Sequence, residues 1–218
     1  MKRVYIVVEG QTEQEFVNSV ISPYLRSFGI LSVTPVLIRT SRTGRGGMVS
    51  YSHLANTIKP LLMSEKSDYV VTTFIDFFRL PHDMPQYDDS MKKPNKAAQV
   101  KALEEAINGA INDRRFFSYI QLHEFEALLF SSNKGFEYYF SDEHAEATAA
   151  VISSYNNPED INSSPEGAPS KRLLAIKPDY NKVLEGNLIA LEIGIQSILE
   201  KCPRFAGWIK DIIGKCKE

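Results

Sequence analysis

Short all-apolar runs alternate along the first half of the chain with longer segments whose apolar residues recur every three or four positions, the alternation of buried strands and amphipathic helices. Val4-Tyr-Ile-Val-Val8 is unbroken and rich in β-branched residues, as in a strand covered on both faces, and it stops at Glu9-Gly10. Thr12, with Glu15 three positions on, has the form of an N-cap, and Phe16, Val17, Val20, Ile21, Tyr24 and Leu25 then keep helical spacing. Residues 33–38 predict a second strand, followed by an Arg/Gly loop (Arg39, Arg42 and Arg45 among Gly44, Gly46 and Gly47) and a helix over 51–63. A third strand over 69–75 ends at Asp76; 78–94, polar and proline-containing, predicts a loop, and 96–112 an amphipathic helix. Residues 116–122 supply a fourth strand, from which His123-Glu-Phe-Glu-Ala-Leu-Leu-Phe130 turns directly into a helix.

This order of elements makes the fold α/β: right-handed crossovers convert it into a parallel sheet flanked by helices. Ligands of such sheets bind at the carboxyl ends of the strands, and that is where the acids fall: Glu9 after the first strand, Asp76 after the third and Glu124 after the fourth. Beyond residue 131 the pattern becomes helical, interrupted by a polar loop over 153–170. The expected organisation is a core at 1–131 with a helical C-terminal subdomain, 132–218, packed on it.

Composition places the chain among ordinary globular proteins: 218 residues, 43% hydrophobic and 24% charged. The formal net charge of -2 provides no general basic field, so a polyanion would need local cations, a metal ion or a partner. The apolar run after Met-Lys-Arg is too short for a secretory signal and no later stretch has the length of a membrane span, so a cytoplasmic protein is expected. Cys202 and Cys216 lack a second metal-type pair and read as ordinary thiols, Cys202 the more buried.

The constellation that could carry chemistry is Glu9-Gly-Gln-Thr-Glu13 with Asp76, Glu124 and Glu126. Hard cations such as Mg²⁺ (or Mn²⁺) take oxygen ligands, so carboxylates converging on one sheet edge form a candidate metal site. Glu13 follows Glu9 by one helical turn, and Gly10 leaves room for a phosphate or metal to approach; the same two acids could instead complement a helix dipole. Asp76 could equally cap a turn, and Glu124 and Glu126 flank Phe125, so only one faces the site if the chain there is extended. His123 could bond a carboxylate, act as acid/base, or be structural. Ser170-Lys171-Arg172 opens a helix where cations could neutralise a phosphate, and Arg39, Arg42 and Arg45 could hold a nucleic-acid backbone; either group could also be plain surface.

These residues resemble a bacterial family of unknown function, DUF4276, with a Toprim-like fold. Val8-Glu9-Gly-x-Thr-Glu13, Asp76 and His123 to Phe130 carry the likeness, joined by Asn157-Pro-Glu-Asp-Ile-Asn162, Pro169-Ser-Lys-Arg172, Tyr180-Asn-Lys-Val-Leu-Glu-Gly186 and Cys202-Pro-Arg-Phe-Ala-Gly-Trp208. The likeness extends to the nuclease component of the PARIS phage-defence system and to OLD-type Toprim nucleases. It implies a Mg²⁺-dependent nuclease with Glu9, Glu13, Asp76 and Glu124 as metal ligands, Lys171 as a phosphate-stabilising lysine, nucleic acid (DNA or RNA, tRNA included) as substrate, and an ABC-type ATPase as partner. The usual second Toprim aspartate is replaced by Phe78, so Asp83, Glu124 or Glu126 must supply that charge, or the site holds one metal. A homodimer through the C-terminal helices is a further expectation. The alternatives are a non-catalytic Toprim-like subunit docking to an ATPase, and a phosphatase or nucleotide hydrolase.

Overall fold

The computed structural model describes residues 2–39, 48, 50–63, 68–161 and 167–217. Arg42 and Arg45 lie outside the described residues. Strands β1 (Arg3–Val8), β2 (Ser32–Leu37), β3 (Tyr69–Asp76), β4 (Phe116–Phe117) and β5 (Ile120–Gln121) form a parallel sheet in the order β2-β1-β3-β4, with β5 also paired to β3. Every strand therefore points its carboxyl end at the same rim.

Helices cover both faces, because the strands are apolar on both. Val4, Ile6 and Val8 of β1 and Phe74 of β3 face α1 (Gln11–Phe16), the π-turn Val17–Ile21 that continues it, α2 (Ser22–Ser27) and the C-terminal helices. Val7, Val71 and Ile75 face α3 (Tyr51–Leu62) and α5 (Lys96–Ile111). The first helix begins at Gly10, whose extended backbone makes no side-chain cap; Thr12 is buried inside the first turn instead of capping it. The segment 78–94 contains a short helix, α4 (Tyr87–Met91), where a loop was expected. Its first turn carries Asp88 and Asp89, the charge that a helix N-terminus favours.

The expected fourth strand is broken in two by a side chain of β3. Thr73 Oγ1 donates to the Tyr119 carbonyl at 2.7 Å and accepts from the Tyr119 amide at 2.8 Å, taking the place of a backbone ladder at that point. Asn108 Oδ1 accepts from the Ser118 amide and Glu104 Oε1 from the Ile120 amide, so the interruption leaves these backbone donors satisfied.

After α6 (Glu126–Leu129) come α7 (Lys134–Tyr139), α8 (Asp142–Ser153), α9 (Pro169–Ile176), α10 (Glu185–Ile193), α11 (Ile195–Lys201) and α12 (Pro203–Lys217). They share one apolar cluster with β1 and β3: Trp208 of α12 stacks on Tyr119 at 4.6 Å and on Phe74 at 5.4 Å, and its indole N–H donates to Thr72 Oγ1. The fully buried Glu159 holds the start of α12, accepting from the Arg204 and Phe205 amides. Cys202 is buried, Cys216 half-buried, and both are free thiols. Among the described residues no helix is long and apolar enough to cross a membrane.

Truncating Trp208 removes its ring contacts with Phe74, Tyr119 and Phe205 and a buried hydrogen bond to Thr72 of the sheet. Trp208→Ala should lower unfolding free energy by about 3–5 kcal/mol in urea titrations, with Leu174→Ala at an exposed position within about 0.5 kcal/mol of wild type.

Candidate functional site

The carboxyl rim of the sheet gathers acids from three stretches of chain. Glu9 leaves β1, Glu13 lies in the first turn of α1, Asp76 ends β3, and Glu126 opens α6. In the midst of them stands a lysine from the C-terminal half: Lys182 Nζ lies 3.4 Å from Glu13 Oε1, 3.6 Å from Asp76 Oδ2 and 3.2 Å from Glu126 Oε2. Glu9 belongs to the same electrostatic group, feeling both Glu13 and Lys182.

Local chain geometry explains which acids face inward. β3 pairs beyond its end with the segment after β5, the Phe77 amide donating to the Gln121 carbonyl and the Phe78 amide to the His123 carbonyl. His123 then takes a left-handed backbone (φ 68°), which turns the chain into the short helix. The Phe125 amide donates to Asp76 Oδ1 at 3.0 Å, so Asp76 holds this turn with one oxygen and faces Lys182 with the other. After the turn Glu126 points at Lys182. Glu124 points away: its carboxylate accepts from the Ser170 amide at 3.0 Å and the Ser170 hydroxyl at 3.1 Å, at the start of α9. The expectation that Glu124 is the likeliest fourth acid thus gives way to Glu126. Asp83 is also engaged elsewhere, accepting from Ser50 Oγ and the Tyr51 amide at the start of α3.

Lys182 sits in a turn fastened independently of its ammonium. Asn181 Oδ1 accepts from the Leu184 amide while Glu185 Oε2 accepts from the Asn181 amide, a reciprocal cap at the entry to α10. Asn187 then donates to the Thr12 carbonyl, joining α10 to α1 beside Glu13. Gly10 lies against Glu13: a Cβ there would come to 3.0 Å from Glu13 Oε2, and its extended φ is one any residue adopts. Lys171, expected as the phosphate-stabilising cation, is exposed on α9 and makes no ion pair among the described residues, whereas Arg172 is engaged with the Gly167 carbonyl and the Tyr155 hydroxyl. Lys182, within the Tyr180–Gly186 motif, is a lysine in a polar turn and carries no local signal; only tertiary contact distinguishes it.

Burial sets the electrostatics. It raises the pKa of Glu9, opposed by the Met48 amide, which donates to Oε1 at 3.2 Å, and reinforced by Glu13. Asp76 is pushed well above the ordinary carboxylate range by burial, against the pull of Lys182, with Glu13, Glu126 and Glu9 adding to the rise. Glu126 is raised by burial and lowered by Lys182. On Lys182 burial pulls down, but Asp76, Glu126 and Glu13 prevail and hold its pKa well above the usual lysine value. Both Glu126 oxygens are buried; Oε2 is held by the Lys182 ammonium at 3.2 Å, and Oε1 has no hydrogen bond from another residue. The Tyr180 hydroxyl and Asn187 Oδ1 nearby are likewise buried and unbonded.

A donor set made wholly of oxygen suits a hard cation such as Mg²⁺, and an orphaned carboxylate oxygen fits a site that still has ligation to offer. As they stand, the acids are spaced around an ammonium: among the described residues no group of three or more His, Cys, Asp or Glu side chains is drawn together tightly enough to hold a metal ion. The ammonium contacts of 3.2–3.6 Å exceed the roughly 2.1 Å of Mg²⁺–oxygen bonds, so ligation requires the acids to close in by about 1 Å.

The molecule is therefore an α/β protein with a lysine-centred carboxylate cluster at the carboxyl rim of a parallel sheet. It belongs to the family described as "Domain of unknown function (DUF4276)", whose model matches residues 8–213 and so includes every acid of the cluster and Lys182. No curated protein and no solved structure matches the chain.

His123 lies beside this rim. Burial, aided by Lys96, pushes its pKa down from 6.5 to about 4, so it is neutral near pH 7 and is not poised as a proton donor there. Among the described residues its imidazole makes no hydrogen bond. Between pH 6.5 and about 4 the unfolded chain takes up a proton at this position that the folded chain refuses, so its contribution to stability rises with pH across that window. His123→Asn, which accepts the left-handed backbone, should relieve the penalty. The wild-type stability deficit relative to the variant should widen as the pH of denaturant titrations falls from 6.5 to 4; a constant difference would contradict a buried neutral imidazole.

Proposed function

We propose that this protein is a metal-dependent nuclease with a Toprim-like catalytic rim, hydrolysing nucleic-acid phosphodiesters. The observation that carries the reading is the convergence of Glu13, Asp76 and Glu126 from separate elements onto one cation position, with Glu9 in electrostatic reach of it and Glu126 Oε1 buried without a bond from another residue. In this reading those four acids hold Mg²⁺ or Mn²⁺, which supplies Lewis-acid activation of the phosphodiester. Lys182, and not Lys171, is the lysine that stands among these acids. Exposed Arg39 follows β2, which pairs with β1 next to Glu9, and exposed Lys171 follows the Ser170 contact of Glu124; the two flank the rim and would bind the nucleic-acid backbone. His123, neutral and turned by its backbone, has a positioning role in this scheme. A cytoplasmic effector in an anti-phage system, homodimeric and restrained by an ABC-type ATPase, is the setting we attach to it.

The rival is a non-catalytic subunit that uses the same rim to dock to an ATPase. The purified protein, incubated with Mn²⁺ or Mg²⁺ and with DNA, RNA and tRNA, should cleave at least one of them. Asp76→Asn and Glu126→Gln should each reduce that cleavage by on the order of 100-fold, and Glu124→Gln by much less. Equal cleavage by wild type and Glu9→Gln would remove this mechanism, and no cleavage of any substrate would leave the docking reading.

A further inference from the structure

A divalent ion held by Glu13, Asp76 and Glu126 would have to occupy the place where the Lys182 ammonium now lies. We propose that Lys182 is a resident counter-ion that holds the cluster together without metal and is displaced to solvent when a divalent cation binds. The inference rests on reading the acids as a metal site, and it concerns how that site is kept intact before loading.

The acids and the lysine differ in the freedom they have to move. Glu13, Asp76 and Glu126 side chains are 6%, 13% and 1% exposed and are fixed to helix starts and a strand end, whereas the Lys182 side chain is 37% exposed. Its ammonium also lies over the Phe125 ring, 6.0 Å from the centroid. The turn that carries it is closed by Asn181 and Glu185 and moored by Asn187 to Thr12, so the ammonium can leave without unfastening the backbone.

Charge also favours exchange. One ammonium serves Glu13, Asp76 and Glu126, with Glu9 in electrostatic reach, and it leaves Glu126 Oε1 without a bond from another residue. A divalent ion brings twice the charge and shorter bonds to the same oxygens, while Lys182 recovers full hydration. The occupant of the cluster is thereby selected by competition: an ion must be charged enough and small enough to outbid a tethered ammonium, which monovalent ions are not.

Mn²⁺ should bind Lys182→Met about ten-fold or more tightly than wild type in isothermal titration calorimetry. Metal-free Lys182→Met should also melt lower than wild type and gain more in Tm from Mn²⁺. Two further measurements do not depend on that variant folding. In wild type, saturating Mn²⁺ should increase acylation of Lys182 relative to the other lysines, read by mass spectrometry; Lys182→Arg, which keeps the charge, should not gain Mn²⁺ affinity. Equal Mn²⁺ affinity in wild type and Lys182→Met, or Lys182 labelling unchanged by bound Mn²⁺, would overturn the exchange while leaving metal-dependent cleavage standing. Absence of Mn²⁺ binding to both proteins would overturn the exchange and the metal-dependent reading together. Binding and exchange without cleavage of any nucleic acid would support the exchange and remove only the nuclease.

Discussion

Carboxylates taken out of water repel one another and lose hydration, and the rim of this sheet tolerates several of them only because a cation stands among them. The topology makes the gathering unavoidable. Parallel strands β1 and β3 are neighbours, so the residues that follow them, Glu9 and Asp76, must emerge side by side. The helix after β1 adds Glu13 and the helix after β5 adds Glu126, each directed by the turn that precedes it. Burial drives Glu9, Asp76 and Glu126 toward their protonated forms; Lys182 pulls the other way on all three. Replacing such a cluster by apolar side chains would often cost a fold little or nothing, so its maintenance here is better explained by use than by stability.

The distant C-terminal half is consequently part of the rim. The turn before α10 delivers Lys182 and α9 occupies Glu124, while Trp208 of α12 packs on Phe74 of the strand that ends in Asp76. Local contacts also account for the roles that individual acids cannot take. Glu124 and Asp83 are committed to helix starts at α9 and α3, and the acid that faces Lys182 from the helix after β5 is Glu126.

Much of this could be read from the chain itself. Val4 to Val8 and residues 69–75 are apolar throughout because both faces of the sheet are covered, and a strand of that kind ending in an acid is visible without coordinates. Glu9, Glu13 and Asp76 follow from it. The rest depends on contacts between residues far apart. The break between β4 and β5 comes from the Thr73 hydroxyl, and no periodicity within 116–122 announces it. The choice of Glu126 over Glu124 turns on the left-handed backbone of His123, a conformation its residue type does not signal. Lys182 was the hardest to see: Lys171 opens a helix and looked better placed, but it is Lys182 that the capped turn before α10 carries across to the strand ends.

The most direct measurement is a crystal structure of the protein with saturating Mn²⁺, collected for anomalous scattering. The account requires a peak within coordination distance of Asp76 and Glu126, with the Lys182 ammonium moved out of the cluster. A well-ordered rim that shows no peak there, with Lys182 still seated between Glu13, Asp76 and Glu126, would contradict it.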